Sequence, residues 1–397
     1  MKRFTRKYAE FVRRPHVGPL LLVALFSRMP IGMMGFAMLM FLRESLGDFA
    51  RAGTAVGVNF VVMALAAPVQ GRIIDRKGPR KVLLVTGTVQ PLALLGVLLC
   101  THYRLPFFAI IALAALAGAF ASPITTLTRT LWRNLFESED DRRTAFSLDA
   151  VMIEINFTAG PAIMAFVLAA FGATAAFATA IAVVVISLVI FVSSRALGYF
   201  KPASGVQRHL LGPLTEPRLL LVFTATFGLT LCFGLLEVGY PAWGTALLMP
   251  ALGGILLSLN SMGSAIGGAI FGGLHLEARI ERQWAAALGL MSIPVFLHAI
   301  APNTGTLAVL ALLAGGLIAP SIAAQSVLVS RLAPAHYATE AFTWSSTAIL
   351  VGLGSGVALG GTLVETVGLR PAFAIGGCVV AAMAALALSI PAVTRKS

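Results

Sequence analysis

The sequence predicts an all-α integral membrane protein of about twelve transmembrane helices, arranged as two pseudo-symmetric six-helix bundles. Three observations predict it: the composition, the even recurrence of apolar runs long enough to cross a bilayer, and a repeat relating the two halves of the chain. The 397 residues are 58% hydrophobic and 11% charged, where a soluble domain carries about 25% charged residues. Mean hydropathy is +0.90.

Apolar runs fall at 17–42, 53–73, 82–103, 105–128, 144–170, 173–194, 219–247, 250–274, 283–300, 304–330, 341–364 and 370–391. Each is long enough to cross about 30 Å of hydrocarbon as a helix. Outer-membrane barrel strands alternate apolar and polar residues over about ten positions; these runs are longer and uniformly apolar, so the spans are helical.

The net charge of +13 is set by topology. With the N-terminus in the cytoplasm, 24 of the 29 lysines and arginines fall on the cytoplasmic side, among them Arg13, Arg14, Arg72, Arg76, Lys77, Arg80, Lys81, Arg129 and Arg133. The other side holds Arg43, Arg51, Arg104 and Arg370, and Arg28 lies inside a span. This bias is the positive-inside rule. It places both termini in the cytoplasm, points to a bacterial inner membrane, and removes nucleic acid as a partner.

Other chemistries find no support. Cys100, Cys232 and Cys378 all fall in spans and give neither a disulfide framework nor metal spacing, and the six histidines are scattered. No metal or cofactor is expected. Gly352-Leu353-Gly354-Ser355-Gly356 lies inside an apolar span with no preceding strand, and no Gly-Lys dipeptide occurs, so no nucleotide loop is present. No nucleophile, base and metal set clusters, which argues against an enzyme.

The halves repeat. Leu116-Ala117-Gly118 and Pro123 return as Leu313-Ala314-Gly315 and Pro320, shifted by 197. Ala145-Phe146, Gly160, Gly172 and Ala176-Phe177 return as Ala341-Phe342, Gly356, Gly368 and Ala372-Phe373, shifted by 196. The expected units are a bundle over 1–194, a cytoplasmic linker over 195–218 and a bundle over 219–397. Extended, the linker reaches roughly 80 Å, enough for two rigid bundles to rock about a midplane site.

The most specific local signal is Gly71 to Lys81, GRIIDRKGPRK, where Gly71 permits close packing, Gly78-Pro79 turns the chain, and Asp75 faces Arg76, Arg80 and Lys81. A degraded copy has Gly273, Glu277 and Arg282 at the positions of Gly71, Asp75 and Arg80. This loop, with the span number, the linker and the repeat, resembles the major facilitator superfamily across the whole chain. The resemblance implies a secondary transporter working by alternating access. It also implies a conformational gate of Gly71, Asp75, Arg76, Gly78 and Arg80, the Asp sitting near Phe342 to Trp344 at the start of span eleven. In span five the family's antiporter motif keeps Gly160-Pro161, while Asn156, Met164 and Ala165 replace its glycines.

Ionisable groups at depth are the strongest candidates for the site, since each costs about 2.5–3.5 kcal/mol at a helix centre. Arg28 and Glu154 each lie about ten residues into their spans, near the midplane at about 1.5 Å per residue. Glu154 shares a stripe with Ser147 and Pro161 that, by the resemblance, faces the opposite bundle. An Arg28–Glu154 pair that takes up and releases a proton is therefore expected; a permanent structural ion pair is the competing reading. Glu237, in GLLEVGYPAW, is a proton acceptor, a contact for a cationic substrate, or an interfacial acid beside Tyr240 and Trp243. Asp149 points about 140° away from Glu154 and is expected to partner loop arginines.

Uncharged candidates are Asn59, Asn156, Thr125, Thr126, Ser321 and Gln325, with Phe233, Tyr240 and Trp344 as aromatic walls; interhelical packing competes at each. The resemblance implies spans one, four, seven and ten as the cavity lining. The expected function is export of a small amphipathic molecule (a drug, sugar or metabolite) driven by the proton gradient, by a monomer whose partners are substrate, protons and lipid. Import on the same scaffold and a non-transporting receptor are the alternatives.

Overall fold

The computed structural model describes residues 10–14, 17–136, 138–194, 197–198, 200, 212–274, 277–334 and 338–391. Among them no strand occurs, and twelve spans are present. Span one is Val17–Ser27 plus Met29–Leu46, span two Phe49–Lys77, span three Pro79–His102, and span four Phe107–Ala119 plus Ile124–Leu135. Spans five and six share the run Glu139–Ser193, divided at Gly172. Span seven is Pro217–Ala246, eight Ala251–Gly273, nine Ile280–Leu297 with the short turn His298–Ile300, ten Thr304–Gly315 plus Ile318–Leu332, eleven Ala338–Thr366 and twelve Leu369–Leu388. Much of the expected linker, including 201–211, lies outside the described residues, as do the cations of the first nine residues.

The sequence repeat is a structural repeat. Gly172 (φ 85, ψ 172) and Gly368 (φ 94, ψ 167) make the same turn between spans five and six and between eleven and twelve. A side chain at positive φ is strained, so glycine is kept at both corners. Phe177 and Phe373, equivalent in sequence, are both buried. Asn59 donates to the carbonyl of Ala114 at 2.9 Å, and Asn260 donates to that of Ala311 at 2.9 Å. Each clasp ties span two to four, or eight to ten, where Gly118 and Gly315 let the backbone of Asn59 and of Asn260 approach. Asn59, expected at the site, therefore holds helices together, as hydrogen-bonding side chains between apolar helices commonly do.

Three spans are broken, and proline causes at least two of the breaks. Pro30 lacks an N–H, so the carbonyl of Phe26 loses its helical donor; Ser187 Oγ donates to it instead, at 3.1 Å. The turn through Arg28 closes with shorter-range bonds, Arg28 N to Leu25 O at 3.4 Å and Ile31 N to Arg28 O at 3.0 Å. Pro123 frees Ala119 O in the same way, and Gln70 Nε2 donates to it at 2.8 Å. Neighbouring spans thus satisfy the carbonyls that each break exposes, as the absence of water demands. In span ten, Gly316 and Leu317 separate the two segments, three residues before Pro320.

Candidate functional site

The two halves share a hydrophobic core at one end of the molecule only. The main cluster joins Met33–Leu42, Phe49–Val56, Met164 and Phe177 of the first half to residues of spans seven to twelve. A second cluster of Phe11, Leu20, Ile74, Leu83, Leu131, Trp132, Ala145 and Phe191 contains no residue of the second half. It lies at the end carrying Arg76, Arg80 and Arg133, the basic end.

At the opposite end the backbones press together. A Cβ on Gly53 would lie 2.6 Å from Val357 O, and one on Gly354 would lie 2.7 Å from Gly57 O. Gly361 packs on Phe49, whose amide donates to Glu365 Oε1 at 2.8 Å. Spans five and eight close the other side, where a Cβ on Gly254 would meet Pro161 O at 2.6 Å.

Exposure along span five follows the same gradient. On the stripe expected to face the other half, Ser147 and Val151 are exposed, Glu154 and Thr158 are half-buried, and Pro161, Ala165 and Leu168 are buried. The molecule is a cleft, open at the basic end and sealed at the other.

Glu154 sits where the cleft narrows. Ser264 Oγ, in span eight of the other half, donates to its Oε1 at 3.3 Å. Glu154 thus reaches the other half, and Ser264 is a partner the sequence did not single out.

Arg28 does not meet Glu154. Its Nη1 donates to Asp149 Oδ1 at 2.7 Å and its Nη2 to the carbonyl of Thr125 at 3.3 Å, with the side chain fully buried. The expected pair fails because Asp149, on the other face of span five, turns into the first half while Glu154 turns out of it. Asp149 Oδ1 also accepts from Trp132 Nε1 at 3.0 Å, and Arg129 Nε lies 3.6 Å from its Oδ2. One carboxylate thus serves two guanidiniums and an indole. Asp149, expected to partner loop arginines near the inner surface, is held instead by Arg28 and Arg129 on spans one and four, and it is only 1% exposed. Thr125 contributes its backbone rather than its hydroxyl, and Arg28 Nε has no partner.

Several other candidates are helix ties. Asn156 Nδ2 donates to Leu25 O at 3.2 Å at the break in span one. Ser321 Oγ instead donates within its own span, to Leu317 O at 2.7 Å at the break in span ten. Gln325 Nε2 donates to Ser345 Oγ at 2.7 Å, joining span ten to eleven. Tyr240 is no cavity wall: it is buried against Phe373, and its hydroxyl lies 3.0 Å from His298 Nε2. A buried phenol needs a hydrogen-bond partner, and the end of span nine supplies it. Phe233 and Trp344 are half-buried against the main core, and Thr126 is exposed.

Gly160 and Pro161 divide their work. A Cβ on Gly160 would strike Gly32 of span one at 2.6 Å, whereas Pro161 faces Gly254 across the seal. In the loop, Gly71 and Gly78 have open space around them, Asp75 is half-buried, and Arg76 and Arg80 are exposed. Glu237 is half-buried, with Oε2 3.8 Å from the position of a Cβ on Gly35.

No curated protein matches this chain. Among solved structures it is similar to a crystal structure of a point mutant of the nucleoside transporter NupG, with a TM-score of 0.70 and 13% identity over 94% of this chain and 99% of the other. At that identity the likeness shows the fold. The family model described as Major Facilitator Superfamily matches residues 20–341. With that match and a twelve-span, two-bundle architecture, the chain is a multi-pass membrane transporter and belongs to the major facilitator superfamily.

Proposed function

We propose that the chain exports a small amphipathic molecule from the cytoplasm in exchange for protons, by alternating access between the two bundles. The basic end is the cytoplasmic one by the positive-inside rule, so the cleft described here faces the cytoplasm. Substrate enters there, the bundles rock, and the seal of Gly53, Gly57, Gly354 and Gly361 opens to the far side. Asp75, Arg76 and Arg80 then gate the cytoplasmic end. Gly71, with free space around it in this state, gives that loop room to meet the other half.

One observation carries the coupling step: among the described residues, Glu154 is held by the Ser264 hydroxyl, across the cleft. Protonation removes the charge that strengthens a hydrogen bond to a carboxylate, so a proton on Glu154 weakens the tie and lets the bundles separate. Import on the same scaffold would keep this step and reverse the direction.

In vesicles with an acidic lumen, solute uptake is expected, because an exchanger brings solute in as protons leave; uptake driven instead by an acidic exterior assigns import together with protons. Glu154→Gln is expected to abolish stimulation by the gradient while the protein stays folded and still exchanges solute across the membrane. Unaltered gradient-driven flux in that variant rules Glu154 out as the coupling group.

A further inference from the structure

Away from the cleft, the sealed end carries a recess of about 380 Å³ between the end of span seven and the start of span twelve. Trp243, Ala246 and Leu247 line one side and Gly368 to Pro371 the other. The space exists because two of its walls are small. Ala246 is exposed, and a Cβ on Gly368 would find nothing nearer than Pro371 Cδ, at 4.0 Å. Trp243 is held in place, its Nε1 donating to Thr304 Oγ1 at 3.1 Å. With that polar atom engaged, what the indole offers the recess is apolar. Arg370 is the one charged residue in the lining.

The rim shows which solvent the recess faces. Leu247, Leu248 and Met249 follow one another at the end of span seven, 47%, 91% and 58% exposed, and Leu248 takes φ 58 as the chain turns there. Three successive large apolar side chains turned outward beside a tryptophan suit the interfacial layer of a bilayer, where aromatic and apolar residues meet lipid headgroups.

Arg370 is exposed and, among the described residues, makes no ion pair or side-chain hydrogen bond. The acid nearest in sequence, Glu365, accepts from Phe49 N. Two other cations of this end are engaged: Arg51 with Asp48 at 2.6 Å, and Arg43 over the Phe49 ring. A guanidinium binds a phosphate through parallel N–H groups, and cations at a membrane surface attract anionic headgroups. A zwitterionic lipid would bring its own ammonium to a lining with no acid to receive it.

We propose that this recess binds an anionic phospholipid of the leaflet at the sealed end, its phosphate on Arg370 and its glycerol and first acyl carbons against Trp243 and Leu247. Both walls belong to the second half. Bound lipid therefore braces the turn at Gly368 against span seven without crossing the cleft.

The test uses the full-length protein in vesicles of phosphatidylcholine mixed with phosphatidylglycerol, where brominated acyl chains of one or the other lipid quench tryptophan fluorescence. The share of Trp243 is the difference between wild type and Trp243→Phe. At equal low mole fraction, brominated phosphatidylglycerol is expected to quench that share several-fold more than brominated phosphatidylcholine. Arg370→Gln should make the two lipids equal, and Arg370→Lys should keep the preference. Ala246→Phe, which fills the recess and leaves the charge, should reduce it. Arg104→Gln, which removes another exposed cation of the same end but in the other half, should not change it. Phosphatidylglycerol and phosphatidylcholine retained through purification, counted by native mass spectrometry in wild type and Arg370→Gln, read the same contrast without the tryptophan. Equal quenching by both lipids in the wild type overturns the proposal. So does a preference that survives Arg370→Gln, or one that Arg104→Gln lowers as much, since surface charge alone would then explain it.

Discussion

Replacing Asp149 by Ala is expected to destabilise the protein by about 3–5 kcal/mol, the size of effect seen when one partner of a buried ion pair is removed. The reason is local. Arg28 and Asp149 are 0% and 2% exposed at their side chains, and the carboxylate also satisfies the Trp132 indole. Its removal strands a guanidinium that already has one unpartnered nitrogen. Melting of purified protein in detergent should shift down by many degrees. Arg28→Met combined with Asp149→Leu should recover most of the loss, because replacing both members of such a pair with apolar residues is often neutral or better. A double variant as unstable as Asp149→Ala would show that the indole bond, rather than the stranded charge, dominates.

A second large effect is expected at the seal. A methyl on Gly57 or Gly361 would run into the backbone of Gly354 or Phe49, and backbone cannot swing aside as a flexible side chain can. Overpacking of this kind costs about 1–3 kcal/mol. The contact exists only while this end is closed, so the cost falls on the closed state and shifts the equilibrium toward opening by roughly 5- to 150-fold. Gly57→Ala and Gly361→Ala should leave folding intact, raise thiol-reagent access at that end and slow transport. Gly263→Ala is the contrast: Gly263 packs on Leu312 within its own half, so that change should lower stability without changing which side is open.

Much of this architecture was legible in the sequence because a bilayer enforces it. Span length, charge bias and repeat offset each follow from constraints that act on every residue of a membrane helix. The pairs Gly172/Gly368 and Gly118/Gly315 were visible as letters, and they mark the corners and crossings that the structure repeats. The stripe of Ser147, Glu154 and Pro161 was also legible, since helical period alone fixes it.

Side-chain partners were harder to read, and the reason is again physical. The depths of Arg28 and Glu154 are similar, and depth suggested a pair; but pairing depends on helix rotation, and span five turns Asp149 rather than Glu154 toward Arg28. Asn59 and Asn156 are polar at depth to meet backbone carbonyls, Gln325 to meet the Ser345 hydroxyl, and Gln70 and Ser187 to meet carbonyls at the breaks. The signal for this was present in Pro30 and Pro123, which free carbonyls that a neighbour must satisfy. Ser264 carried no signal of its own, because one half acquires its partners in the other only through packing.

Alternating access requires two bundles that rock about the cleft, with opposite ends closing in turn. Spin-label distances test this most directly, using a background in which Cys100, Cys232 and Cys378 are replaced, with one label pair at the exposed positions 51 and 362 beside the seal and another at the exposed positions 76 and 331 at the basic end. Without ligand, the pair at the seal should be short and narrow while the basic-end pair is long. As pH is varied, one distance should lengthen as the other shortens. Two distances that stay fixed under every condition, or that lengthen and shorten together, would contradict the account.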